Sequence, residues 1–335
     1  MRDFRLYVLP ILLTVLLSSH GWGQAASPGP GDGPSPAASA SATLDRKALE
    51  DYIRYLNLWG ENVNVSLSEA KPSNTLPGYL EVNVTASVPG ASLSQEYFVS
   101  PDGGRLVRGR TSDRLGKTVF RTGSYPFEAE QAALQLEGRP ALGPEKAAVT
   151  VAVFSDFQCA YCREEGQMLR ANLLQAYPDS VRMVFVHFPL VQIHDWAQPA
   201  AVAGHCLAAQ SNHSFWRYHD WVFEAQPKLT AANFRASLQE WASGADVDPL
   251  RLQQCIQSPE ANVAVSASMQ QALAMGLNST PTLFVNGRQV TGKLTWPGIK
   301  QIIDTELDFQ MRQATRQQNN KEACCSVTLP GLFPQ

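Results

Sequence analysis

The sequence predicts an α/β fold class: an α/β domain whose two strand regions are separated by a long helical insertion, preceded by a small α+β domain. Three observations carry this. An apolar run with strand character, residues 149–154, leads into helical periodicity at Met168, Leu169, Leu173 and Leu174. A second strand pattern follows the step Thr280-Pro281, and Asn286-Gly287 turns it back into residues 288–293 as a hairpin. Between the two, residues 193–277 keep helical periodicity with few strand signals, too long a stretch for a simple connection.

At 335 residues, 44% hydrophobic and 17% charged, the chain is long enough for about two domains and a sizeable core. A net charge of -3 singles out neither nucleic acid nor an anionic membrane as a partner.

Taken in order, residues 1–25 carry Arg2 and Arg5, an apolar core from Leu6 to Leu17, and small residues Gly21, Gly23 and Ala25. They read as a secretory signal peptide, the core being short for a membrane span. An uncleaved anchor is the alternative, and with no cysteine near the cleavage region a lipid anchor is not expected. Residues 26–43 are Ala, Ser, Pro and Gly with hardly a large apolar side chain, and read as a disordered tether.

The small α+β domain spans residues 44–125. Leu49, Tyr52, Ile53 and Leu56 have the spacing of a helix with one buried face. Short strands are expected at Val63-Val65-Leu67, at Leu80-Val82-Val84 and at Tyr97-Phe98-Val99, the last turned at Asp102-Gly103 into Leu106-Val107. That is a thin core for such a length, and thin modules are often completed by a partner surface. Residues 126–144 read as a linker: a short helix with Ala129, Ala132, Ala133 and Leu136 on one face, then a Gly/Pro-rich break.

The second domain is expected at 145–311. Its first strand meets Cys159-Ala160-Tyr161-Cys162 where the helix begins. Unpaired backbone N–H groups and the positive end of the helix dipole face the first sulfur, so its pKa is expected to fall roughly one to several units below a free thiol. Cys159 is then the nucleophile and Cys162 the resolving partner. The alternatives are half of a zinc site or a purely structural disulfide, but no second Cys or His pair follows at zinc spacing. His187, His194, His205, His213 and His219 form no i, i+4 pair with a carboxylate nearby, so no metal is expected. A further strand is expected at 181–188, ended by Pro189.

Within the insertion, Phe215, Trp216, Tyr218, Trp221 and Phe223 sit at helical spacing and read as core. Cys206 and Cys255 fall on predicted helices; in an exported protein a mutual structural disulfide is expected, with two buried thiols as the alternative. Closing a loop of about 50 residues contributes roughly 3 to 4 kcal/mol. Ile299, Ile302, Ile303 and Leu307 mark a final helix, and the tail 312–335, with Cys324-Cys325 unexplained, is polar and expected to be loose.

Phe-Ser-Asp-Phe-Gln-Cys-Ala-Tyr-Cys together with Ser-Thr-Pro-Thr-Leu-Phe-Val-Asn-Gly resembles the DsbA-like, thioredoxin-fold thiol-disulfide oxidoreductases of the bacterial cell envelope. The resemblance covers about residues 147–309. It implies a thioredoxin fold with a helical insertion, a cis Pro281 opposite the dithiol, and a substrate chain held by Thr280, Pro281 and Tyr161. It implies an exported enzyme, in periplasm or cell envelope, whose partners are protein thiols and disulfides and a redox partner protein, with no cofactor beyond the Cys159 and Cys162 pair. The buried acid that the wider superfamily often places six residues before the nucleophile is absent, since Val153 stands there; Asp156 and Glu165 are the candidate proton relays, with cap and surface charges as the alternative. The phrase Tyr-Phe-Val-Ser-Pro-Asp-Gly-Gly-Arg-Leu-Val-Arg-Gly resembles the dimerisation domain of DsbC/DsbG-type isomerases, which implies a homodimer, and Thr280 is the residue type preceding their cis proline. Oxidase, isomerase or reductase, and a non-enzymatic peptide-binding chaperone module are the readings left open.

Overall fold

The computed structural model describes residues 44–109, 119–120, 125–290 and 295–325, without the side chains of 119–120 and 316–325. The expected signal peptide, the tether, the side chains of Cys324 and Cys325, and the chain after 325 lie outside the described residues. Residues 43–335 form one compact unit.

Helix α1 (Arg46–Asn57) is capped by Asp45, whose carboxylate accepts from Ala48 N at 2.9 Å. It lays Leu49, Tyr52, Ile53 and Leu56 on an antiparallel sheet. The strands are β1 (Asn64–Leu67), β2 (Lys71–Pro72), β3 (Leu80–Val88), β4 (Ala91–Val99), β5 (Leu106–Arg108) and β6 (Val119–Phe120), in the order β1-β3-β4-β5-β6 with β2 also pairing β3. Val82, Val84 and Ala86 alternate inward on β3. β4 begins six residues before the apolar Tyr97-Phe98-Val99, because residues 91–94 pair fully with β3 while their side chains face solvent. With Leu93 the one large apolar side chain in that exposed half-strand, there is too little apolar alternation to read.

The linker helix is shorter than its periodicity predicts. It covers only α2 (Glu128–Ala133), Ala129, Ala132 and Ala133 are exposed, and the buried anchor is Leu134 just beyond it.

The second sheet joins β7 (Ala141–Leu142), β8 (Val149–Ser155), β9 (Val181–His187), β10 (Thr282–Val285) and β11 (Arg288–Val290) in the order β11-β10-β8-β9-β7. Only β8 and β9 are parallel, joined through α3 (Ala160–Ala176); the other pairs are antiparallel. Both central strands are buried on both faces, which is why they read as continuous apolar runs. Val151 and Val153 face one core with α3 and the insertion; Ala152 and Phe154 face the other with Leu134, Ala272 and Phe284. Asn286 (φ 47) and Gly287 (φ 85) make the β10–β11 turn, and a Cβ on Gly287 would stand 2.5 Å from Phe127 O.

The insertion is α4 (Ala197–Ala208), α5 (Asn212–Ala225), a 3-10 turn (Gln226–Lys228), α6 (Phe234–Gly244), α7 (Pro249–Gln257) and α8 (Pro259–Ala274). Phe215, Tyr218 and Phe223 of α5 pack around Phe157, with Phe157 and Phe185 stacked at 5.0 Å between centroids. Cys206 of α4 and Cys255 of α7 are joined by a disulfide.

The last helix, α9 (Trp296–Cys325), continues 14 residues past Met311, so the stretch read as a loose tail is helical as far as 325. Its fully buried Glu306 accepts from Tyr55 Oη (2.8 Å), Tyr125 Oη (2.9 Å) and Arg288 Nε (3.1 Å). Arg288 in turn donates to the carbonyls of Tyr55 and Leu56 at the end of α1, between the rings of Tyr55 and Phe127. Tyr55 also stacks on Phe309 at 3.8 Å. The small domain is thus tied to the second domain through a buried polar knot.

Candidate active site

Strand β8 delivers the chain into a tight connection at Asp156-Phe157-Gln158, and Cys159 is the N-cap of α3. An extended N-cap followed by a helical first turn points the backbone N–H groups of Tyr161 and Cys162 at the Cys159 sulfur. Both thiols are free, with Cys159 6% exposed and Cys162 1%.

The two thiols are driven apart in acidity. The Cys159 pKa is lowered to about 6, first by the Cys162 thiol hydrogen-bonding its sulfur, then, against some cost of burial, by the backbone amides and Thr280. Cys162 is pushed well above the ordinary thiol value, first by burial and then by the neighbouring Cys159. Its one backbone donor is Asp156 N, 3.4 Å from Sγ.

Opposite the dithiol, the Thr280-Pro281 bond is cis, and Thr280 O lies 3.5 Å from Cys159 Sγ. The buried Thr280 hydroxyl meets no group within strict hydrogen-bonding geometry, yet it is close enough to lower both thiol pKa values. Tyr161, between the cysteines, is 67% exposed.

The two candidate relay acids differ. Asp156 is buried, its Oδ1 taken by Gln158 N (2.7 Å) and its Oδ2 by Leu190 N (2.8 Å) and His194 Nδ1 (2.7 Å). It ties the loop before Cys159 to the loop after β9, a buried anchor rather than a surface charge. Glu165, one helical turn beyond Cys162, is also buried, and its Oε1 has no hydrogen-bond partner among the described residues. Burial, and then the negative charge of Cys159, raise its pKa to about 8.

Three contributors carry no signal in the sequence. Gln226, in the 3-10 turn after α5, donates to Phe157 O (2.8 Å) and Cys159 O (3.0 Å) from 69 and 67 residues away. Gln158 bridges to the insertion, donating to Asp195 Oδ1 (2.9 Å) and accepting from Trp196 N (2.7 Å). His194 completes the shell of Asp156. Their partners are backbone groups or residues remote in sequence, so no local motif marks them. Among the described residues no three His, Cys, Asp or Glu side chains group as metal ligands.

The chain is 35% identical over 150 residues to the Na(+)/H(+) antiporter NhaA 3 of Salinispora tropica, a match covering 45% of this chain and 22% of that protein. The chain therefore spans less than a quarter of that relative's length. It is 25% identical over 185 residues to disulfide bond formation protein D of Bacillus subtilis, covering 51% of this chain and 78% of that protein. Among solved structures, a variant of Wolbachia pipientis alpha-DsbA1 superposes with a TM-score of 0.50 at 17% identity, covering 55% of this chain and 99% of the other, a likeness of fold. The family model described as thioredoxin matches residues 135–305, half of the sequence and the whole of the dithiol site, and the chain belongs to that thioredoxin family.

Proposed function

We propose that the protein is an exported thiol-disulfide oxidoreductase that exchanges disulfides with protein substrates through Cys159 and Cys162. The observation that carries this reading is the split dithiol: one sulfur held near pKa 6 at a helix N-terminus, opposite the Thr280 carbonyl, the other buried and pushed up. Such a pair makes Cys159 the sulfur that attacks and is attacked.

In the oxidising direction a substrate thiolate attacks Sγ of Cys159 in the Cys159–Cys162 disulfide. A substrate–Cys159 bond forms as the Cys159–Cys162 bond breaks, and Cys162 leaves as a thiolate that takes up a proton. A second substrate thiolate then attacks the substrate's own sulfur and releases Cys159 as a thiolate. Two substrate thiols lose two electrons in all, and the protein disulfide gains them. A redox partner protein removes those electrons to reset the cycle. No added cofactor enters, since the dithiol itself stores the electron pair.

Thr280 O and Pro281 lie across from Cys159 where a substrate backbone approaches, and exposed Tyr161 borders the same approach. Glu165, with a pKa of about 8 and a free acceptor, is suited to pass a proton to and from the buried thiol. Asp156 contributes by position, holding Gln158 and the loop after β9. Export, to periplasm or cell envelope, rests on the apolar segment at the N-terminus. No helix among the described residues is long and apolar enough to cross a membrane.

Redox titration against glutathione tests the reading. A two-electron transition lost in Cys159→Ser is expected; a midpoint near the glutathione couple marks an oxidant or isomerase, and a far lower one a reductant. Absence of any transition overturns the proposal.

A homodimeric isomerase is the second reading, favoured by the β3–β4 hairpin, which leaves Val88 (40%) and Leu93 (56%) exposed. Light scattering decides it: a monomer at tens of micromolar eliminates a shared cleft between two Cys159 sites.

A further inference from the structure

The insertion carries a groove of about 680 Å³ that the dithiol chemistry does not use. Its floor is apolar, from Trp196 stacked on Phe234 with Leu238 and Leu252, all buried. Its exposed polar lining includes the carboxamides Gln239 of α6 and Gln253 of α7, together with the charged Arg235 and Asp195. The volume falls in the range of binding sites rather than packing defects. The Cys206–Cys255 disulfide fixes α4 against α7, so two walls of the groove are covalently held.

The position of the groove says what fills it. Asp195 and Trp196, which line its near end, are the residues that Gln158 bridges to, and Gln158 directly precedes Cys159. Around that junction lie Tyr161, Val191, Ile193 and, beside the groove, Leu250, with exposures of 67%, 41%, 71% and 65%. They make up four of the nine large apolar side chains exposed among the described residues. Exposed apolar side chains thus stand next in the chain both to the dithiol, at Tyr161, and to residues lining the groove, at Ile193 before Asp195 and at Leu250 after Pro249. A carboxamide is both donor and acceptor, matching the alternating N–H and C=O of a peptide backbone, which a lipid tail lacks.

We propose that this groove is an exosite for an unfolded polypeptide, seating an apolar side chain of the segment that flanks the cysteine exchanging at Cys159. This deepens the oxidoreductase reading and rests on it for the source of the peptide, but its binding is measurable without exchange. Polypeptides bearing Leu or Phe near the reacting cysteine are then the favoured substrates, and small disulfides such as glutathione gain nothing from it.

The test uses the full chain carrying Cys159→Ser and Cys162→Ser, titrated with a short linear peptide rich in Leu and Phe whose cysteine is replaced by serine. Saturable binding that shifts the Trp196 indole resonance is expected, as is affinity about tenfold or more weaker when Ala232→Trp or Gln253→Trp, both at exposed lining positions, fills the groove. A matched Ser/Gly peptide is expected to bind no better than the filled variants bind the apolar one. No binding by the parent, an unmoved Trp196 resonance, or equal affinity in both filled variants overturns the exosite. Glutathione exchange by the dithiol protein is scored separately: its absence with groove binding intact defeats the oxidoreductase reading alone.

Discussion

Gln226 holds the carbonyl of Cys159 at 3.0 Å through the same amide nitrogen that holds Phe157 O at 2.8 Å. The helical insertion therefore grips the backbone on both sides of Gln158. Replacing it with Ala removes the donor to Phe157 O, while Cys159 O keeps the backbone N–H of Arg163 at 3.1 Å; a buried carbonyl left without its donor costs about 1–3 kcal/mol. Gln226→Ala is expected to lower the unfolding free energy from urea titration by that amount and to slow Cys159 alkylation, and unchanged values for both would refute the positioning role.

Alkylation separates the two thiols. With a Cys159 pKa of about 6 and Cys162 well above the ordinary thiol value, iodoacetamide at pH 6 is expected to modify Cys159 far faster in the reduced protein. The rate against pH is expected to have its midpoint near 6. Peptide mapping reads the site, and equal labelling contradicts the assignment.

Glu165 sets an alkaline dependence. Its pKa rises from 4.5 to about 8 on folding, so between those values the folded chain holds a proton that the unfolded chain has released. Stability is then fully present below about pH 4.5 and lost as pH climbs toward 8, at up to about 1.4 kcal/mol per pH unit. Glu165→Gln is expected to flatten that slope in thermal melts and to shift the pH profile of Cys159 alkylation.

His187 sets an acid dependence of opposite sign. Burial first, then the charges of His205 and Arg139, lower its pKa to about 3, and neither ring nitrogen has a hydrogen-bond partner among the described residues. Stability is present above about pH 6.5 and lost as pH falls toward 3, because only the unfolded chain accepts the proton, again at up to about 1.4 kcal/mol per unit. His187→Leu, among Phe157, Phe185 and Phe215, is expected to remove the slope between pH 6 and 4.

Breaking the insertion's staple is a matter of stability. Unreduced peptide maps are expected to return Cys206 and Cys255 as one linked fragment. Cys206→Ser is expected to lower stability by about 3 to 4 kcal/mol, the loop-closure value, while Cys159 alkylation is little changed. A large loss of Cys159 reactivity would mean that the staple also shapes the exchange site.

How much was legible in the sequence follows from how local each feature is. The β8 to α3 step and the Thr280-Pro281 loop are short contiguous patterns, and both appear where the periodicity places them. The first half of strand β4, exposed and with Leu93 its one large apolar side chain, and the polar far end of α9 were hidden, since backbone pairing alone marks the one and helical continuity the other. The shell formed by Gln226, His194 and Gln158 was not legible, since nothing in a side chain's type announces a partner between 37 and 69 residues away. The roles of Asp156 and Glu165 needed burial and partners together, which only the folded chain supplies.

The knot of Glu306, Arg288, Tyr55 and Tyr125 makes the small domain and the dithiol domain share one frame of reference. Removing one member of a buried ion pair of this kind costs about 3–5 kcal/mol, because the other charge is left uncompensated. The sheet of β1 to β6 is therefore held at a set bearing to Cys159, as a workpiece in a jig.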